Sequence, residues 1–127
     1  MKKRRKILLA EDEEILRFLY REELQEEGFE VVTAKNGKEA LHQLEKAKPD
    51  LVILDIAMPA MDGLEALPRI KEKHNRIPVI VYTSHPGYLT HAGTQVADAC
   101  ILKSGDLGEM KEKVRQLLNE PAEDPVF

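Results

Sequence analysis

The sequence predicts an α/β protein, a five-stranded parallel sheet with helices on both faces. Three observations predict it. Short apolar runs alternate with amphipathic stretches along the chain, the pattern of repeated strand–helix units. The central run, Leu51-Val52-Ile53-Leu54, is continuously apolar rather than alternating, as in a strand covered on both faces. A length of 127 residues, 43% hydrophobic and 33% charged, fits one soluble globular domain around one core. With no Trp and 5% aromatic residues, that core is expected to be mostly Ile, Leu, Val and Ala.

Ile7 to Ala10 reads as the first strand. Glu13 to Glu27 reads as the first helix, with Ile15, Phe18 and Leu19 on its inner face and Gly28 as its stop. Phe29 to Thr33 is the second strand. Gly37 to Ala47 is the second helix, in which Ala40, Leu41 and Leu44 share a face and Pro49 prevents extension. The third strand ends at Asp55. The third helix spans about Leu64 to Lys73, where Pro68 removes a backbone donor and predicts a kink or a late start. Pro78 opens the fourth strand, Val79 to Tyr82, and Ala99 to Leu102 is the fifth. Between them, His85-Pro86-Gly87 and Gly93 predict a short or irregular fourth helix. Asp106 and Glu109 fit the cap and third position of the last helix, followed by Leu107, Met110, Val114, Leu117 and Leu118 at helical spacing.

Right-handed crossovers then favour the flavodoxin-like doubly wound order 2-1-3-4-5, with ligands beyond the carboxyl ends of the strands near the switch between strands 1 and 3. At those ends stand Glu11 and Asp12, Asp55, Thr83 and Ser84, and Lys103. Converging carboxylates repel unless a proton or cation joins them. Mg²⁺ suits such a site, because it prefers oxygen ligands, keeps several waters and bridges carboxylates to phosphate. Thr83 adds a hydroxyl donor and Lys103 a compact positive charge for an anionic oxygen. The set fits a phosphoryl group on or near a carboxylate. Each residue alone has a plainer reading: Asp12 as a helix cap, Thr83 as a capping hydroxyl, Lys103 as a solvated lysine. One polar group at each of four strand ends argues against reading them separately.

The net charge of −4 is unevenly placed. Without the basic run Lys2 to Lys6, 14 basic residues face 23 acidic ones, a net of −9. Direct nucleic-acid binding by the acidic body is not expected. The basic run itself suits nucleic acid or an anionic membrane, or reads as a solvated overhang over residues 1–6. Cys100 is the only cysteine, which suits a reducing, cytoplasmic setting. No segment approaches a membrane span, and residues 7–10 are too short for a signal peptide. Residues 7–120 form the expected domain, and 121–127 a tail or truncated linker.

The chain resembles the receiver domain of bacterial two-component response regulators, in particular the chemotaxis-regulator type. The matching stretches are residues 7–13, 51–63, 78–84 and 101–103, and the second, Leu51 through Asp55-Ile56-Ala57-Met58-Pro59 to Asp62-Gly63, is the most specific. The resemblance implies that Asp55 is the phospho-acceptor and catalytic residue, taking its phosphoryl group from a phosphohistidine on a sensor histidine kinase or phosphotransfer protein. It implies Mg²⁺ held by Asp12, Asp55 and the Ala57 carbonyl, with Glu11 acting through water. Thr83 and Lys103 would contact phosphoryl oxygens. Such a domain assists its own phosphorylation and dephosphorylation, but its product is a conformational signal to an output partner, as a monomer or a phosphorylation-linked dimer.

Two departures stand out. Ser104 follows Lys103 where the family usually has a proline after a cis peptide. Keeping a cis bond before a non-proline residue costs roughly 2.5–4 kcal/mol, so the loop is either strained or differently routed. Cys100 stands where a switching aromatic is common, making Thr83 and Cys100 the switch candidates, while Tyr82 is expected to point away from Thr83. Competing readings are a docking module that is never phosphorylated, a Mg²⁺-dependent phosphatase, and a flavin-binding domain. Ala57 stands where the phosphatase needs a second Asp, and Glu11 and Asp12 would repel a flavin phosphate. The four histidines lack metal-ligand spacing, and Gly37-Lys38 lacks the upstream glycine of a phosphate loop.

Overall fold

A computed structural model describes residues 4–119. The elements are β1 (Lys6–Ala10), α1 (Glu14–Glu26), β2 (Glu30–Ala34), α2 (Gly37–Ala47), β3 (Leu51–Leu54), α3 (Gly63–Lys73), β4 (Val79–Thr83), β5 (Ala99–Leu102) and α4 (Gly108–Leu117). All strand pairs are parallel, in the order β2-β1-β3-β4-β5.

Period-two alternation divides the strand side chains between two cores. Leu8, Ala10, Val52, Leu54, Val79 and Val81 pack with Ala40 and Leu44 of α2 and Ala66, Leu67 and Ile70 of α3. Ile7, Leu9, Leu51, Ile53, Ile80, Tyr82 and Ile101 pack with Tyr20 and Leu24 of α1 and Met110 and Val114 of α4. The central strands are therefore buried on both sides, which explains the unbroken apolar run of β3. Tyr82 and Thr83 fall on opposite faces, as the strand period requires.

Local chemistry sets the helix ends. Asn36 accepts the Glu39 N–H at 2.7 Å, and Asp62 accepts the Glu65 N–H at 3.0 Å, satisfying donors that α2 and α3 cannot pair internally. Gly28 ends the α1 turn at φ +97°, a conformation that favours glycine. α3 begins at Gly63 despite Pro68, so no late start occurs, and Pro68 faces solvent inside the helix. The cap of α4 is Leu107 rather than the expected Asp106, and it makes no side-chain cap bond; Asp106, one residue earlier, accepts the Gly108 N–H at 2.8 Å.

The inner face of α1 differs from the expectation. Ile15 is 82% exposed, Phe18 56% and Leu19 43%, whereas Tyr20 and Leu24 are buried and Leu16 packs beside them. The helix carries two apolar stripes, and Leu16-Tyr20-Leu24, at i, i+4 and i+8, is the one that meets the sheet.

Between β4 and β5 no α-helix forms. Two 3-10 turns, Pro86–Leu89 and Ala92–Thr94, take its place. They are tied by Thr94, fully buried, whose hydroxyl lies 2.6 Å from the Tyr88 carbonyl and 2.9 Å from that of His91. Asp98 closes the segment, accepting the Val79 N–H at 2.8 Å and the Lys71 ammonium at 2.9 Å. At the other end of the sheet, Lys6 is already part of β1, and its N–H donates to Asp50 at 2.8 Å. The Arg5 carbonyl accepts the Glu30 N–H at 2.9 Å. Residues 1–3, with Lys2 and Lys3 of the basic run, and the tail from 120 lie outside the described residues. No helix among the described residues is long and apolar enough to cross a membrane.

Candidate functional site

β1 and β3 are neighbours in register, Ala10 beside Leu54, so the residues that follow them emerge side by side. The Asp55 N–H donates to the Ala10 carbonyl at 3.0 Å and continues the ladder one step past the strand. Glu11 and Asp55 are consequently buried and Asp12 half-buried. One ligand oxygen from each of the three lies within 4.8 Å of the others. Oxygens on opposite sides of a Mg²⁺ ion are about 4.2 Å apart, so small side-chain adjustments bring this set to octahedral distances. The donor set, all carboxylate, is also the right chemistry for a hard cation. Ala57 follows in the exposed turn after Asp55.

Lys103 enters from the end of β5. Its ammonium lies 2.6 Å from Glu11 Oε1 and 3.3 Å from Asp55 Oδ2. Burial alone would lower the Lys103 pKa, but the hydrogen bond to Glu11 and the charges of Asp55 and Glu11 outweigh it and hold the ammonium above its ordinary value. Burial pushes Glu11 up, reinforced by Asp55, while the Lys103 ammonium and the Glu13 N–H pull it back. Thr83 is fully buried at the end of β4, where its hydroxyl oxygen accepts the His85 N–H at 3.1 Å. Its carbonyl accepts the Lys103 N–H at 2.6 Å, tying the ends of β4 and β5. Glu11, Asp12, Asp55 and Lys103 thus share one site, and Thr83 is joined to it through the Lys103 backbone.

The described peptide bonds are all trans, so the Lys103–Ser104 loop takes a different path rather than a cis one. Ser104 Oγ donates to the Asp106 carbonyl at 2.9 Å in that path. Cys100 sits on β5 opposite Val81, and its thiol lies 3.6 Å from the Thr94 carbonyl, among the 3-10 turns.

Two contributors escape a reading of strand ends. Arg17 Nη1 donates to the carbonyls of Glu11 at 2.8 Å and Asp12 at 3.2 Å, bracing the acidic loop. Tyr20 lies under Lys103, the ammonium 5.8 Å from its ring centroid. Their signal in the sequence is spacing alone: Arg17 falls five residues and Tyr20 eight residues after Asp12.

Residues 7–115 match the family model of the response regulator receiver domain. The chain belongs to the response regulator receiver family. One relative, sporulation initiation phosphotransferase F of Bacillus subtilis, is 34% identical over 124 residues, covering 89% of this chain and 93% of that protein. Other curated relatives are longer than a receiver. The chain spans 33% of the length of the alkaline phosphatase synthesis transcriptional regulatory protein PhoP of Bacillus subtilis, with 36% identity over 80 residues. Among solved structures, the response regulator TrrA of Thermotoga maritima in complex with Mg²⁺–BeF matches with a TM-score of 0.86 and 42% identity, over 89% of this receiver and 98% of that chain. TrrA has also been solved in complex with the histidine kinase ThkA, and that chain matches with a TM-score of 0.85 and 43% identity, over 90% of this receiver and 98% of its own length.

Proposed function

We propose that Asp55 accepts a phosphoryl group from a phosphohistidine on a sensor histidine kinase or phosphotransfer protein, in a Mg²⁺-dependent reaction that shifts the protein's conformation to control a partner. The observation that carries this reading is the Asp55 carboxylate, 7% exposed, grouped with Glu11 and Asp12 and salt-bridged to Lys103.

An Asp55 carboxylate oxygen attacks phosphorus while the bond from phosphorus to the donor imidazole nitrogen breaks, and its electron pair stays on that nitrogen. The product is an acyl phosphate. Water later attacks phosphorus, releasing inorganic phosphate and restoring the carboxylate. Asp12 and Asp55, with the Ala57 carbonyl, would hold Mg²⁺ directly and Glu11 through water; the ion, when bound, offsets charge on the phosphoryl oxygens. Lys103 supplies a second positive charge at those oxygens. The Thr83 oxygen accepts from His85 and keeps its own hydrogen for a phosphoryl oxygen.

The signal then leaves through Thr83, His85 and the 3-10 turns. Cys100 is too small for an aromatic swing; it packs against the core and its thiol contacts the Thr94 carbonyl. To invert a 1:99 population, phosphorylation must favour the active packing by about 5.5 kcal/mol. The acyl phosphate adds up to about two negative charges with which to do so. The module is a cytoplasmic switch rather than a turnover enzyme.

The test is labelling by a small phosphodonor such as phosphoramidate, with and without Mg²⁺. Asp55→Asn is expected to abolish Mg²⁺-dependent labelling. Full labelling of that variant would overturn the assignment. A chain that binds its partner equally well with and without phosphodonor would instead favour the unphosphorylated docking module.

A further inference from the structure

Lys103 has four flexible methylenes and a strongly hydrated head, and the loop after it carries Ser104 in a trans peptide. Two of the groups that hold the ammonium, Glu11 and Asp55, are also members of the carboxylate cluster that suits a cation. Their attraction to Lys103 is therefore shared as soon as a cation enters. The third contact is not shared. The Tyr20 ring lies 5.8 Å from the ammonium, inside the range of about 6 Å at which a ring face attracts a cation.

Tyr20 is itself fixed. Its ring is 4% exposed and meets the ring of Tyr82, 2% exposed, edge to face at 5.4 Å and 64°. Tyr82 stands on β4 beside Ile101 of β5, two residues before the lysine. Burial pushes both phenols up to about 12, so both rings are neutral wherever the site carries its charges.

We propose that the Tyr20–Tyr82 pair is the positioning device for Lys103: Tyr20 floors the ammonium, and Tyr82 anchors that ring. The inference rests on the reading of Asp55 as phospho-acceptor, because that gives Lys103 a phosphoryl oxygen to meet. Helix α1 and strand β4 thus do with side chains what the loop sequence after Lys103 does not do with its backbone.

The experiment compares the full chain with Tyr20→Leu, Tyr20→Phe and Tyr82→Leu. Three quantities are read: Mg²⁺ affinity, the rate of labelling by phosphoramidate, and the rate of Lys103 acetylation in metal-free protein, with the other lysines of the same molecule as standards. Tyr20→Leu is expected to slow labelling by about tenfold or more, since displacing a charge-stabilising group by about 1 Å is enough for such a loss. It is also expected to expose Lys103 to acetylation, while Mg²⁺ affinity is unchanged. Tyr20→Phe keeps the ring face and restores both rates. Tyr82→Leu, which removes the ring that anchors Tyr20, falls between.

A folded Tyr20→Leu protein that labels and acetylates like the parent overturns the proposal, as does a defect that Tyr20→Phe fails to rescue. Should Tyr20→Leu not fold, Tyr82→Leu decides: unchanged Lys103 acetylation overturns the role of Tyr82. A parent chain that takes no label overturns the reading of Asp55 instead, and the metal-free acetylation series still judges the tyrosine pair.

Discussion

The carboxyl edge of the sheet is built in two ways. On the β3 side, the chain leaves Asp55, turns, and comes back under it into α3. The Gly63 N–H donates to the Ile56 carbonyl at 2.7 Å, and a Cβ on Gly63 would come 2.7 Å from the Ile56 Cα and against the Asp55 carbonyl. On the β4 side, the chain passes through two 3-10 turns whose one buried polar anchor is Thr94. Asp55 is held by close backbone packing that leaves no room for an extra atom. The segment behind Thr83 is held by a few hydrogen bonds and little apolar area, the profile of a region that opens at low free energy. A tightly packed Asp55 turn is thus joined to a lightly held neighbour.

The largest test of this contrast is Gly63→Ala. The added methyl must displace backbone on the Asp55 side, so we expect a loss of about 1–3 kcal/mol in urea unfolding together with slower labelling of Asp55. Normal stability and labelling would mean that the β3 side is softer than its contacts imply. Thr94→Val comes next. It keeps the volume but leaves the Tyr88 and His91 carbonyls without the hydroxyl, at a cost of about 1 kcal/mol. Amide exchange is expected to quicken over residues 85–98 and stay unchanged in β1 and β3. Uniform quickening would show that the two sides open as one unit.

Alkali offers a graded probe of the region between them. Tyr20 and Tyr82 have folded pKa values of about 12 against an ordinary 10.0. Raised values mean that their contribution to stability is complete below pH 10 and is lost as pH rises through 12. Phenolate absorbance and unfolding should rise together in that window, and Tyr82→Phe should reduce the pH dependence. The smallest effect belongs to the outer stripe of α1. Phe18→Ser is expected to change stability by no more than about 0.5 kcal/mol, since Phe18 touches the guanidinium of Arg21 rather than the core.

The strand ends were legible because an apolar run that stops at a charged residue marks where a covered strand reaches solvent. That logic picked out Glu11, Asp12, Asp55, Thr83 and Lys103, and Pro86, Gly87 and Gly93 predicted a short or irregular fourth helix where the structure has two 3-10 turns. The face of α1 was not legible. Ile15, Phe18 and Leu19 have as good a helical spacing as Leu16, Tyr20 and Leu24, and periodicity does not say which stripe meets the sheet. Tyr20 could not be read as a neighbour of Lys103 for the same reason, since the two meet only through packing between α1, β4 and the end of β5. Thr94 is invisible in a different way: one of two threonines in this stretch, with Thr90, it gives no sign that it is the buried centre.

The pairing of Lys103 with Glu11 and Asp55 has a consequence in simple charge counting. Counted formally, three carboxylates and one ammonium carry two net negative charges, the complement of a single divalent ion. All of these groups lie closer together than the Debye length of about 8 Å at physiological ionic strength. Salt therefore weakens the pull of the acidic surface on a distant cation far more than the grip of the cluster on one that has arrived. Raising ionic strength should slow metal entry more than it speeds metal loss.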